Sequence, residues 1–179
     1  MNSHGDTEPQ RGVPWVRHGG TEAQRDGRED TAPRRPEELN AVTEKIIGCA
    51  IEVHRCLGPS LRESSYCEAL DREFGLQGLG FAREIIIPAE YKGRTVGEYR
   101  IDFIVDGQVV VEVKAVERSD PVFEAQVLSY LKVSSRRLGL LVNFNVRLLR
   151  QGVRRVVRTR GSTSFRGVLN IDRREAGVR

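Results

Sequence analysis

Eight residues constrain this chain more than any others: Val109-Val110-Val111-Glu112-Val113-Lys114-Ala115-Val116. The run reads as a buried strand, yet it carries a carboxylate and an ammonium two residues apart. Burying a charge without a partner costs several kcal/mol, so a strand core does not carry Glu and Lys casually. Ten residues before Glu112, the segment Tyr99-Arg100-Ile101-Asp102-Phe103-Ile104-Val105 is a second apolar strand with a single acid, Asp102. Two acids and a lysine on neighbouring strands can hold a divalent metal and activate a water for phosphodiester hydrolysis. A buried salt-bridge cluster with a purely structural role is the competing reading, and the strands alone weigh the two evenly.

Register decides whether these groups meet. Asp106-Gly107 reads as a hairpin turn between the two strands. A two-residue loop pairs Val105 with Gln108 and throws Asp102 and Glu112 onto opposite faces. A three-residue loop, Asp106-Gly107-Gln108, pairs Val105 with Val109 and Asp102 with Glu112. It leaves Ile101, Phe103, Val105, Val109, Val111 and Val113 on one apolar face. Asp102, Ile104, Val110, Glu112 and Lys114 share the other, so parity favours this register, with room for a distortion near Asp102. Of four lysines, only Lys92 and Lys114 have an acid two residues before them. Glu90-Tyr91-Lys92 runs into Gly93 and reads as a solvent-facing hairpin end.

Apolar steps of three and four predict a helix over Glu37–Leu57, stopped by Gly58-Pro59. Ser60 is the expected N-cap of a second helix running to Phe74 and ending at Gly75, with Glu63 at its third position. Strands follow at Phe81–Glu90, Val96–Val105, Gln108–Val116 and Leu138–Phe144, with a further one at Gly152–Val157. Asp120-Pro121 opens a helix over Val122–Val133. Helix, helix, three strands, helix, strand, strand is an α/β order with a mixed central sheet flanked by helices. Residues 1–36 lack a hydrophobic period and read as a disordered tail, and 161–179 as a flexible Arg-rich tail, leaving 37–160 as the folded domain.

The net charge of +4 is uneven. Residues 150–179 carry nine Arg against two acids, whereas 37–149 carry 14 basic and 17 acidic residues. Arg150, Arg154 and Arg155 are the candidate phosphate-contacting residues of an arginine-rich edge; a solvated edge strand protected by charge is the alternative. No stretch is long and apolar enough to span a bilayer, and no secretory signal is apparent. Three cysteines, Cys49, Cys56 and Cys67, form no C-x-x-C pair and read as reduced thiols of a cytoplasmic protein. No glycine-rich phosphate loop is present, which disfavours a nucleotide-driven enzyme.

Several segments together resemble the GxxExxY proteins, a family grouped with the PD-(D/E)xK nuclease superfamily of restriction-endonuclease-like fold. They are Ile51–Tyr66, Ile87–Gly93, Tyr99–Asp102, Val111–Glu117, Gln126–Leu131 and Gly139–Phe144. The likeness covers about 38–158. It implies that Asp102 and Glu112 are metal ligands, with the Val113 carbonyl, for Mg²⁺ or Mn²⁺. Lys114 would orient the attacking water and stabilise charge in the transition state. Glu63 would add a carboxylate to the metal's surroundings. Gln126 and Tyr130, four apart on one helical face, look like the Q-x-x-x-Y element of exonuclease-like members. Two departures stand out: the motif's first Gly is Ser60, and a Gly after Asn143-Phe144 is Asn145, which tolerates a left-handed turn better than most residues.

His54 reads as a satisfied structural histidine, Tyr66 and Tyr91 as packing residues with polar tips, and Arg100 as a partner of Glu98 or of a phosphate. The expected substrate is nucleic acid, DNA before RNA, with a homodimer or an unknown protein partner left open. A catalytically silent nucleic-acid- or protein-binding module on a nuclease-like fold is the rival function. Near a bound cation, Lys114 would be expected to have a lowered pKa.

Overall fold

The computed structural model describes residues 39–159 and the backbone of 168–169. The tail read at 1–36, the helix start at Glu37, and all of 161–179 except 168–169 lie outside the described residues. Helices α1 (Asn40–Leu57) and α2 (Glu63–Leu76) precede strands β1 (Phe81–Tyr91), β2 (Arg94–Val105) and β3 (Val109–Lys114). Helix α3 (Pro121–Val133), β4 (Leu138–Asn143), the one-turn α4 (Leu149–Gly152), β5 (Val153–Val157) and β6 (Val168–Leu169) complete the chain.

The strands lie in the sheet in chain order. Every neighbouring pair is antiparallel except β3 and β4, which run parallel because α3 carries the chain back to the other end. On one face, Ile46, Ala50 and Val53 of α1 and Tyr66, Leu70 and Phe74 of α2 bury against Phe103, Val111 and Leu140. On the other, Val127, Tyr130 and Leu131 of α3 cover Ile104, Val110 and Leu141. This is the α/β restriction-endonuclease-like core with a mixed sheet that the sequence predicts. The α3 contact is close: a Cβ on Gly139 would stand 2.5 Å from Val127 Cγ1. No helix among the described residues is long and apolar enough to cross a membrane.

Local rules account for most boundaries. Asp120 caps α3, accepting from Val122 N–H at 2.8 Å, with Pro121 in the first turn. Lys92 and Gly93, with φ of 49° and 78°, make the tight β1–β2 turn, as expected for a hairpin end. The three-residue loop is present, and Val105 pairs with Val109 and Phe103 with Val111.

The second helix differs from expectation at both ends. Ser60 is not its cap: it sits in the left-handed region at φ 79°, and Arg62 occupies the cap position without a side-chain bond. The loop is held instead by the Tyr66 hydroxyl, which donates to Gly58 O at 2.7 Å and accepts from Leu61 N–H at 3.2 Å. The position of the motif's glycine is thus one where a Cβ is costly. Gly75 does not end the helix; Gly78, at φ 66°, does. Asn145 is not left-handed and donates its N–H to Asn143 Oδ1.

The predicted apolar face also needs correction at Ile101, which joins the α3-side cluster with Ile104 and Val110 rather than lying with Phe103 and Val105. The same change occurs in β1, where Phe81 packs toward α1 and α2 but Ile85 and Ile87 toward α3. Glu84, at φ 52°, stands between these sets, opposite Asp102. The irregular backbone there rotates both strands and breaks the alternation on which the parity reading rests.

Ser60→Gly should raise stability by up to about 1 kcal/mol, since relief of a left-handed side chain exceeds the added unfolded-state entropy; an unchanged denaturation midpoint would contradict the strain. Gly139→Ala should lower stability by about 1–3 kcal/mol through overpacking against Val127, read in the same unfolding assay.

Candidate active site

The site forms where two strands part. Residue pairing between β2 and β3 ends at Phe103 and Val111. One residue further, the Asp102 side chain takes over, its Oδ2 accepting the Val113 N–H at 2.8 Å. The other edge of β3 stays paired with β4 through Lys114 and Asn143. Asn143 then extends that pairing with its side chain: Oδ1 accepts from Val116 N–H at 3.0 Å and Nδ2 donates to Val116 O at 2.8 Å. The strand bearing Glu112 and Lys114 is therefore held by the Asn143 side chain on one edge and by the Asp102 carboxylate on the other.

Glu112 is only 2% exposed. Its Oε1 contacts the Lys114 ammonium. Its Oε2 is buried and has no hydrogen-bond partner among the described residues. The Asp102 and Glu112 carboxylates act on one another's ionisation. Burial, then the neighbouring Asp102 charge, push the Glu112 carboxyl up to about 7 despite Lys114. Burial also raises Asp102, against the lowering effect of the Val113 N–H and Lys114. Burial works against the Lys114 ammonium, but the Glu112 contact and the fields of Glu63 and Asp102 outweigh it and hold the group above its ordinary value. Three carboxylates thus act on this one ammonium in the metal-free site. Its Nζ also stands 5.5 Å over the Phe123 ring.

Glu63 opens α2 and is half-buried. Its carboxyl is raised by burial and feels Lys114 and Asp102. Among the described residues no three His, Cys, Asp or Glu side chains are gathered closely enough to hold a metal together. Glu63 acts on the Asp102–Glu112 pair through its charge. On α3, the expected Gln126–Tyr130 pair is joined: Gln126 Nε2 donates to the Tyr130 hydroxyl at 2.6 Å. Burial, then Glu112, raise the Tyr130 phenol. The orphaned Glu112 oxygen, the adjacent Asp102 carboxylate and an all-oxygen donor set suit a hard divalent cation.

The three arginines do not form one edge. Arg154 and Arg155 are consecutive in β5 and point to opposite faces. Val153 and Val157 belong to the α1–α2 side and Val156 to the α3 side, so Arg155 lies on the former and Arg154 on the latter. Arg150 is exposed on α4. Nor is β5 the sheet edge, since β6 pairs with it. Arg154 alone reaches the site's neighbourhood. It lines a cavity of about 150 Å³ with Lys114, Phe123 and Asn143, and its Nη1 is held by the Gln151 and Val153 carbonyls.

Sequence reasoning missed Asn143 and Phe123 as parts of this surround. Asn143 directly follows the β4 core run, a placement that could have marked it as a strand-end clamp. His54 is structural as expected, its Nε2 2.8 Å from the Val146 carbonyl. Arg100 pairs with Glu98 at 3.1 Å. Cys49 and Cys67 are buried and Cys56 is exposed, none in a disulfide. Burial pushes the Cys49 and Cys67 thiols up to about 11 and about 12, keeping them protonated.

No curated protein matches this chain closely enough to count as a relative. The family model of the PD-(D/E)XK nuclease superfamily matches residues 40–156, a span that takes in both strands of the acid pair, the lysine and all of α3. The chain belongs to the PD-(D/E)XK nuclease superfamily.

Proposed function

We propose that this protein is a divalent-metal-dependent nuclease of the GxxExxY kind, hydrolysing phosphodiester bonds of nucleic acid, DNA before RNA, in the cytoplasm. The observation that carries the reading is the Glu112 Oε2 atom, a buried acceptor with no partner among the described residues, beside Asp102 and Lys114. Buried polar atoms are nearly always satisfied, and this one is aptly satisfied by a cation. Ser60 in its left-handed turn, Glu63 at the start of α2 and Tyr66 clamping the loop support the GxxExxY assignment.

In this reading Asp102 and Glu112 hold Mg²⁺ or Mn²⁺, and Glu63 acts on the pair through its charge. The Val113 carbonyl completes the set, because in a strand it points to the same edge as the N–H that Asp102 accepts. The cation, when bound, supplies Lewis acidity that lowers the pKa of water and offsets charge on the phosphate. Lys114, whose ammonium contacts Glu112, serves as a hydrogen-bond donor. It aligns the attacking water and neutralises a non-bridging phosphate oxygen. Gln126 commits its amide nitrogen to Tyr130, which leaves its carbonyl oxygen to orient Lys114 or water. Arg154, held by two carbonyls in the cavity beside Lys114, meets a flanking phosphate.

One observation favours a second reading. The Lys114–Glu112 contact is already closed, as in a structural ion pair on a catalytically silent binding module. Cleavage of labelled single- and double-stranded DNA and RNA with Mn²⁺, Mg²⁺ or EDTA decides between them. Metal-dependent cutting should fall at least about a hundredfold in Lys114→Ala and in Asp102→Asn. Absence of cutting, together with no thermal stabilisation by either metal, would leave the binding module.

The raised Glu112 carboxyl sets a pH dependence. Its pKa moves from 4.5 to about 7 on folding, so its contribution to stability is full at low pH and is lost as pH rises through that window. The loss is on the order of 3 kcal/mol. Below about 7 a proton competes with the cation. Apparent Mg²⁺ or Mn²⁺ affinity should therefore weaken up to about tenfold per pH unit below 7, as read by thermal shift between pH 5.5 and 8. Affinity independent of pH would remove Glu112 from the ligand set.

A further inference from the structure

The β1–β2 hairpin is far longer than the sheet that supports it. β2 is paired with β1 along almost its whole length but meets β3 only over Phe103–Val105. From Asp102 outward to Arg94 the hairpin is a two-stranded ribbon, a form only marginally stable in water on its own. Its root leans on α3, where Ile85, Ile87 and Tyr99 pack on the α3-side cluster and the Tyr99 ring stands edge-on to Tyr130 at 6.3 Å. Beyond that support the ribbon is bare: Tyr91 is 62% and Val96 66% exposed. Lys92 and Arg94 flank Gly93 at the tip, with Lys92 Nζ 5.3 Å over the Tyr91 ring.

Two features argue against a strand of a second copy as the ribbon's partner. β1 is the sheet edge, yet it carries Pro88 and a register shift between Ala89 and Glu90, devices that resist edge-to-edge pairing. The tip instead offers two cations and an aromatic ring, which suit phosphates, and a two-stranded ribbon fits the major groove of B-form DNA. The ribbon is also rooted at the acid pair itself, since Asp102 is its last residue before the sheet. At roughly 3.3 Å per residue the tip extends up to about 26 Å from Asp102, about eight base pairs of duplex at 3.4 Å per step.

We infer that the β1–β2 ribbon is a duplex-DNA-binding arm, with Lys92 and Arg94 contacting phosphates up to about eight base pairs from the cut. It rests on the nuclease reading for the position of the cut, though not for the binding. The test is anisotropy titration of the full chain against a 30-base-pair DNA duplex and a single strand of equal length, about four times the ribbon's reach, over a series of salt concentrations in EDTA. Lys92→Ala/Arg94→Ala should weaken duplex binding roughly tenfold and flatten its log–log salt slope by about 2. Single-strand binding and thermal midpoint should be unchanged. An unchanged duplex slope, an equal loss on the single strand, or no duplex binding by the wild type would each overturn the arm. So would a dimer in solution that Tyr91→Ser/Val96→Ser converts to monomer. Cutting without ribbon-dependent binding sinks the arm and keeps the nuclease; ribbon-dependent binding with neither cutting nor stabilisation by metal does the reverse.

Discussion

The Asp102 carboxylate accepting the Val113 N–H is the interaction on which the site depends. A strand whose neighbour departs leaves its amides without partners, and an unmet buried amide costs on the order of 1–3 kcal/mol. Asp102 meets that need with an ionisable group, so one contact both ends the β2–β3 ladder and delivers a carboxylate beside Glu112. On the opposite edge Asn143 does the same job with a neutral amide, prolonging the β3–β4 pairing to Val116. The strand carrying Glu112 and Lys114 is thereby clamped from both sides by side chains that imitate backbone.

The charges in this frame are poorly compensated by design of the packing. Glu112, buried, and Asp102 and Glu63, half-buried, face one ammonium, and one Glu112 oxygen is left over. A core built only for stability would replace such a cluster with apolar side chains, often at no loss. Its burial, beside the match to a nuclease superfamily, is what separates it from the ordinary exposed pair at Arg55 and Glu52, which sits in solvent and contributes little.

The fold was largely legible because its signals are local. Asp120-Pro121 announces a helix, Lys92-Gly93 a tight turn, and side-chain parity alone selects the three-residue loop that pairs Val105 with Val109. What stayed hidden depends on backbone conformation. Ser60 looks like a helix cap by residue type, and only its φ of 79° reveals a glycine's place in a turn. Ile101 follows the alternation on paper, yet the irregularity shared by Glu84 and Asp102 turns it to the other face. The site acids and lysine were legible because charge in an apolar strand is conspicuous. Asn143 and Phe123 were not, because an amide at a strand end and a ring in a helix are unremarkable until the chain brings them to Lys114. Arg155 was misgrouped with Arg154 because a cluster in sequence becomes two faces in a strand.

The face change at Glu84 and Asp102 also divides the hairpin into two parts that answer to different constraints. Inside the switch, every side chain is committed to the helices on either face, and a single inserted residue would invert the core. Just outside it Ile85, Ile87, Tyr99 and Ile101 still pack toward α3, and beyond Ile87 and Tyr99 the two strands answer chiefly to each other. Inserting or removing two residues from each strand there would keep both the cross-strand pairing and the facing of the root. The outer hairpin can therefore change length across descendants of this scaffold while the acid pair and its lysine stay in register.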